Sequence, residues 1–311
     1  HMQEYPLEVE DAFMQSNKSP FDLERINTQI ANILASKKMQ QQVQRGRIDW
    51  VNRRDYTTKW VADPDGEFEV IEHPRKDILH LDVGAVDSYY QTEAPSSDSK
   101  GCAMIFRRWH NGIETETNLP IAKYTDRPYT KDIWFENNLK LAAYYGCKLL
   151  VEYTDEMFFD WFYKQNATKF LKERPRNADA PWGKVANKYG VHMKSYQKNL
   201  LIELIDEYVK KSIEGIYFLD LLRELADFGI RNVDMAMTFG IALMHDADNA
   251  NMRIIDADAV KSRNDYFLPT FSQNADGTMN VNNGRKANAN RKANDPLNIG
   301  VGNRNGLLGN I

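Results

Sequence analysis

Between residues 78 and 154 the chain places four short apolar runs: ILHLDVG at 78–84, CAMIFRRW at 102–109, PIAKYTD at 120–126 and KLLVEYT at 148–154. Runs of this length bounded by turn-forming residues read as buried strands. A helical pattern over about 130–145 precedes the last run, another over 155–166 follows it, and two amphipathic stripes, Leu200 to Val209 and Phe218 to Leu225, come later. The segment 233–245 is apolar nearly all round, as a central buried helix requires. Strands interspersed with helices in this way predict an α/β domain with helices on the faces of a mixed sheet.

Upstream, Leu23, Ile26, Ile30 and Leu34 recur at helical spacing, and GRIDWVNR with TTKWVADPDGEFEVIEHP read as a small β-ribbon turning at Asp65-Gly66. The expected organisation is an irregular segment and helix over 1–43, the ribbon over 44–75, a core over 76–271 and an Asn-rich tail over 272–311. That tail has eleven Asn and five Lys or Arg, a composition that cannot build a packed core. Residues 167–195 read as a long excursion with one more strand at ATKFLKE or GVHMK.

Against 44 acidic residues stand 40 basic ones, so any basic groove is local. The two cysteines, Cys102 and Cys147, form no metal-binding spacing and read as reduced, buried thiols. No apolar run reaches the roughly 18 residues of a membrane span, which predicts a soluble, intracellular protein. The opening His1-Met2 reads as a cloning scar, and the chain as a piece of a longer protein.

The chemistry lies in three acids. Asp82 and Glu152 interrupt buried strands and Asp234 opens the apolar helix, where burial normally excludes carboxylates. In the last strand Leu150 and Glu152 share one face, while Leu149, Val151 and Tyr153 share the other. If the strands bearing Asp82 and Glu152 are neighbours, their carboxylates share a proton or hold a cation. Oxygen ligands alone favour Mg2+ or Mn2+, and two such ions roughly 3.5 to 4 Å apart serve phosphodiester hydrolysis. Asp87, five residues beyond Asp82, can reach the same metal from the strand exit, although a solvated loop Asp is the commoner case. Each acid also has a plainer reading: Asp82 as a turn acceptor, Glu152 satisfied by Arg107 or Lys148, and Asp234 stabilising a helix dipole. Their combined order raises the functional reading above these.

The motifs PLEVEDAF, GRIDWV, GEFEVIEHP, ILHLDVGAVD, SDSKGCAMIF, LLVEYT and LLRELADFGIRNVDMAMTFGIAL, spread over about 5–248, resemble the nuclease domain of the large terminase subunit of tailed bacteriophages, a branch of the ribonuclease H-like superfamily. That resemblance implies a ribonuclease H-like mixed sheet. It also implies Asp82, Glu152 and Asp234 as catalytic metal ligands with Asp87 accessory, and a metal-dependent endonuclease that cuts concatemeric double-stranded DNA during genome packaging in the host cytoplasm. The implied partners are an N-terminal ATPase motor, the portal and the small terminase subunit. No GxxxxGK[ST] phosphate loop occurs, so the resemblance covers the nuclease part alone. Lys100, Arg107, Lys194 and Lys198 are candidates for phosphate contact. The rival readings are another ribonuclease H-like enzyme, such as a junction resolvase or transposase, and a non-cleaving DNA clamp or portal-docking module.

Overall fold

In the computed structural model, the described residues are 19–89, 100–111, 114–175, 188–230 and 233–256, with the backbone alone at 256, 270–273 and 279–282. The chain divides into two units, 1–255 and 256–311. Within the second, Thr270–Gln273 and Met279–Asn282 pair antiparallel. The rest of the Asn-rich tail lies outside the described residues, as does the PLEVEDAF segment.

The first unit is built on a seven-stranded sheet. Its strands are β1 (Gln44–Asn52), β2 (Thr57–Ala62), β3 (Phe68–Val70), β5 (Asp82–Asp87), β6 (Gly101–Arg107), β7 (Leu119–Asp126) and β8 (Leu149–Val151); the short β4 (Ile78–Leu79) lies outside it. Their order is β2-β1-β3-β7-β6-β5-β8. Strands β5, β6 and β7 run antiparallel to their neighbours, whereas β8 lies parallel to β5. This is the mixed sheet expected from the sequence. The ribbon differs in its pairing: β1 sits between β2 and β3, so the Asp65-Gly66 turn does not join paired neighbours. Pairing of β3 with β7 then extends the central sheet through the ribbon.

Helices cover both faces. On one, α7 (Asp234–Asp248) packs on Val83, Ala85, Met104, Phe106 and Leu150, α5 (Ser195–Ser212) and α6 (Leu219–Ala226) pack against α7, and α1 (Leu23–Ala35) packs against α6. On the other lie α3 (Lys131–Tyr145) and α4 (Met157–Lys164), packed on Val86, Ala103, Ile105, Leu149 and Val151. The short α2 (Lys37–Gln40) is separated from α1 by Ser36, whose hydroxyl accepts from the Met39 amide, breaking the longer helix the periodicity suggests. Helix α7 is buried from Met235 to His245 except at Met237, as its all-round apolar sequence demands. A Cβ on Gly240 would stand 2.1 Å from Leu201 Cγ, so only glycine lets α5 approach α7 this closely.

The excursion after α4 forms a 3-10 turn at Thr168–Phe170 and isolated bridges at Leu171, Glu173, Tyr189 and Val191 instead of another strand; residues 176–187 lie outside the described set. Strand β5 also begins later than the run ILHLDVG suggests. His80 has φ of +63°, a left-handed conformation that interrupts the extended chain, so Asp82 opens the strand and Asp87 closes it. Among the described residues no helix is long and apolar enough to cross a membrane.

His245 of α7 is buried and its Nδ1 lies 2.8 Å from the Gly84 carbonyl, so Nδ1 donates. Burial pushes its pKa down to about 3 from 6.5. Below pH 6.5 the unfolded chain takes up a proton that the folded one refuses, so stability falls as the pH drops from about 6.5 towards about 3. The expected loss at pH 5 is about 2 kcal/mol, read as a change in urea midpoint. His245→Asn, which cannot titrate, removes that share; an unchanged pH dependence in that variant contradicts the assignment.

Candidate active site

The register of β5 and β8 decides which acids meet. Gly84 lies opposite Leu149 and Val86 opposite Val151, so the next residues, Asp87 and Glu152, emerge side by side at the carboxyl ends of two parallel strands. Alternation puts Asp87 on the same face as Val83 and Ala85, and Glu152 on the same face as Leu150. This is the face covered by α7, whose first residue is Asp234. Asp87 and Glu152 are hydrogen-bonded to each other. Burial, and then the charge of Glu152, raise the Asp87 pKa well above the usual carboxylate range, with Asp234 and Glu224 adding to the effect. Burial also raises Glu152, opposed by the Asp87 hydrogen bond and by Lys198. The physical picture is a proton shared between neighbouring carboxylates in a field already negative.

Asp234 accepts from the backbone amide of Lys100, 3.1 Å from Oδ2. Glu224, at the end of α6, accepts from the amides of Met235 and Ala236 at 2.8 and 3.0 Å. It thereby caps α7 from another helix. Burial pushes the Glu224 pKa up to about 7, against the pull of these amides. The sequence reading missed Glu224, which lies in an amphipathic stripe like any helix-surface Glu. Asp87 carried a usable signal: an acid at the carboxyl end of a fully buried strand sits where open α/β sheets bind ligands.

Asp82 does not join this group. It lies at the opposite end of β5, on the other side of the strand's alternation and about 16 Å away by strand rise. There Arg107, directly across on β6, donates to it from Nε at 2.9 Å and from Nη2 at 3.3 Å. Burial raises the Asp82 pKa and the Arg107 guanidinium counteracts the rise. The expected pairing of Asp82 with Glu152 is therefore corrected to Asp87 with Glu152. Arg107 is corrected as well, since a fully buried guanidinium held by Asp82 and the His73 carbonyl cannot reach phosphate. Lys100 and Lys194 are exposed. Lys198 stands on the first turn of α5, close enough to Glu152 to favour its charged form.

A cavity of about 410 Å3 opens beside Asp82, lined by His80, Lys148, Lys169, Lys172 and His245 among others. It lies away from the paired acids, and its one buried carboxylate is already matched by Arg107. The acidic end is the better chemical candidate. Its donors are carboxylate oxygens, which suit a hard divalent cation, and positive charge would relieve the repulsion that now holds a proton between Asp87 and Glu152. Among the described residues no three or more His, Cys, Asp or Glu are arranged to hold a metal ion. Asp234 and Glu224 are instead engaged with backbone amides.

The molecule is thus a mixed α/β domain with a carboxylate cluster at one end of its central strands. No protein-family model matches the chain, and no curated protein matches it. Among solved structures, the chain is similar to the large terminase nuclease from thermophilic phage G20c, with a TM-score of 0.38 and 12% identity over 58% of this chain and 89% of that one.

Proposed function

We propose that this chain is a metal-dependent endodeoxyribonuclease that cuts double-stranded DNA, acting as the nuclease part of a terminase large subunit. The observation that carries the reading is the meeting of Asp87 and Glu152 at the carboxyl ends of adjacent parallel strands, beneath the helix that Asp234 opens. Asp87, Glu152 and Asp234 would hold Mg2+ or Mn2+, two ions in the full site, with Glu224 setting the start of α7. When bound, such ions activate the attacking water and stabilise the leaving oxygen of an in-line displacement. The protein's own part is to surrender the proton shared by Asp87 and Glu152 and to hold the carboxylates rigidly on two strands and a helix. Lys198 and Lys100 at the rim favour a phosphate diester beside them. In the packaging setting the partners would be concatemeric viral DNA, an ATPase motor, the portal and the small terminase subunit, in the host cytoplasm.

Plasmid digestion tests the reading. Supercoiled DNA is nicked and linearised with Mn2+ or Mg2+, and EDTA abolishes the cutting. Cutting that persists in EDTA defeats it. The rival, a non-cleaving clamp, is favoured by the engagement of Asp234 with the Lys100 amide, which leaves the described acids short of a ready metal cage. Plasmid retained but uncut at every metal concentration selects that rival.

A further inference from the structure

Immediately beyond Glu152 the chain builds a row of aromatic rings. Tyr153 stacks on Phe159 with centroids 5.3 Å apart and planes 18° from parallel. Phe159 continues to Tyr189 at 6.5 Å and 14°, and His192 closes the other end, 4.4 Å from Tyr153. All four residues are partly buried. Rings packed for stability alone are expected to be buried more completely, because burial is what an aromatic contributes.

The row is fixed to the candidate site. The Tyr153 amide donates to the Val191 carbonyl at 2.8 Å, and the Val191 amide to the Val151 carbonyl at 2.9 Å, so residues 189–192 run against the exit of β8 on either side of Glu152. Gly190 permits this: its φ is +78°, and a Cβ there would come 2.7 Å from the Phe159 ring and 3.3 Å from Tyr153 Cβ. The Tyr153 hydroxyl donates to Glu156 at 3.2 Å, which holds the ring in place.

Cations border the row on the side of residues 188–198. Residues 188–198 contain three lysines and no acid, and Lys188 lies 5.1 Å from the centre of the Tyr189 ring. Arg174 donates to the Gly190 carbonyl at 3.4 Å, and burial first, then the charges of Arg174 and Lys194, lower the His192 pKa. Acids border it as well: Glu152, Glu156 and Asp160 beside Tyr153 and Phe159 in the chain, Asp155 paired with Lys131, and Glu173 paired with Lys188. A stack of π-faces bordered by cations is the combination that holds unpaired nucleic acid, the rings taking bases and the cations taking phosphates. A paired base has both faces covered inside the duplex, so only a frayed, melted or single-stranded base can extend this row.

We propose that the Tyr153, Phe159, Tyr189 and His192 row is a stacking platform for unpaired bases, delivering a locally melted strand to the acidic end of the sheet. The inference rests on the nuclease reading for its purpose but not for its test.

The test is binding in EDTA, where cutting is not needed, of the full chain to a short single strand carrying 2-aminopurine and to the same sequence as a duplex. Wild type quenches the single-strand fluorescence by stacking. Tyr189→Ala and His192→Ala each weaken single-strand binding about 10-fold, within the range for one lost base-ring stack, and leave duplex affinity within about twofold; Tyr189→Phe restores binding. Equal losses for both DNA forms, or none for either, overturn the platform. A protein that stacks single strands through these rings yet never cuts plasmid keeps this inference and loses the nuclease reading. Cutting with no ring-dependent stacking does the reverse.

Discussion

Asp87→Ala is expected to lower the rate of Mn2+-dependent plasmid cutting by three orders of magnitude or more, while Asp82→Asn leaves the rate per folded molecule within a few-fold of wild type. Loss of one ligand of a catalytic cation removes several kcal/mol of transition-state stabilisation, and about 4 kcal/mol corresponds to a factor of a thousand. Asp87 faces Glu152 under α7, whereas Asp82 is occupied by Arg107 at the far end of the same strand. Initial rates from matched concentrations of folded protein, with far-ultraviolet circular dichroism on each variant, decide the matter. The opposite ranking, with Asp82→Asn inactive and Asp87→Ala active, would return the catalytic role to Asp82. Glu152→Ala is expected to behave like Asp87→Ala, because in the proposed site the two carboxylates would hold the same cation.

The second large effect concerns stability. Arg107→Ala leaves Asp82 buried with its main cationic partner gone, a change that costs about 3–5 kcal/mol. For a unit of this size the melting temperature should fall by about 10 °C, measured by thermal and urea unfolding. The same variant, kept below its transition, should bind DNA as wild type does, since the side chain is wholly enclosed. Weakened DNA binding without loss of stability would show that Arg107 reaches the nucleic acid. A paired Arg107→Met and Asp82→Leu substitution should recover much of the lost stability, because replacing a buried ion pair by apolar groups is often close to neutral.

Much of the local structure was legible in the chain itself. The run CAMIF becomes a fully buried strand, and DMAMTFGIAL a helix begun by Asp234 and buried nearly all round, because apolar period and length report burial directly. Glu152 stood out for the same reason, as a carboxylate within a strand otherwise apolar. The reading of ILHLDVG erred by a few residues, since nothing in its hydrophobicity shows that His80 adopts a left-handed conformation. That small displacement moved the strand's start to Asp82 and its end to Asp87, and so changed which acid the sheet presents. Glu224 was invisible at this level: its contact with the start of α7 spans a separate helix and a turn.

What the sequence determined alone was therefore the kind of elements and the presence of buried carboxylates, since both follow from neighbours along the chain. What only the tertiary structure decided was the grouping of those carboxylates. Register between β5 and β8 brings Asp87 to Glu152, pairing of β5 with β6 gives Asp82 to Arg107, and packing of α6 on α7 turns Glu224 to the helix amides. The two strand contacts are set by how the faces of the sheet bury their side chains, and a register shift of one residue would send both to the opposite face; the third is set by helix packing.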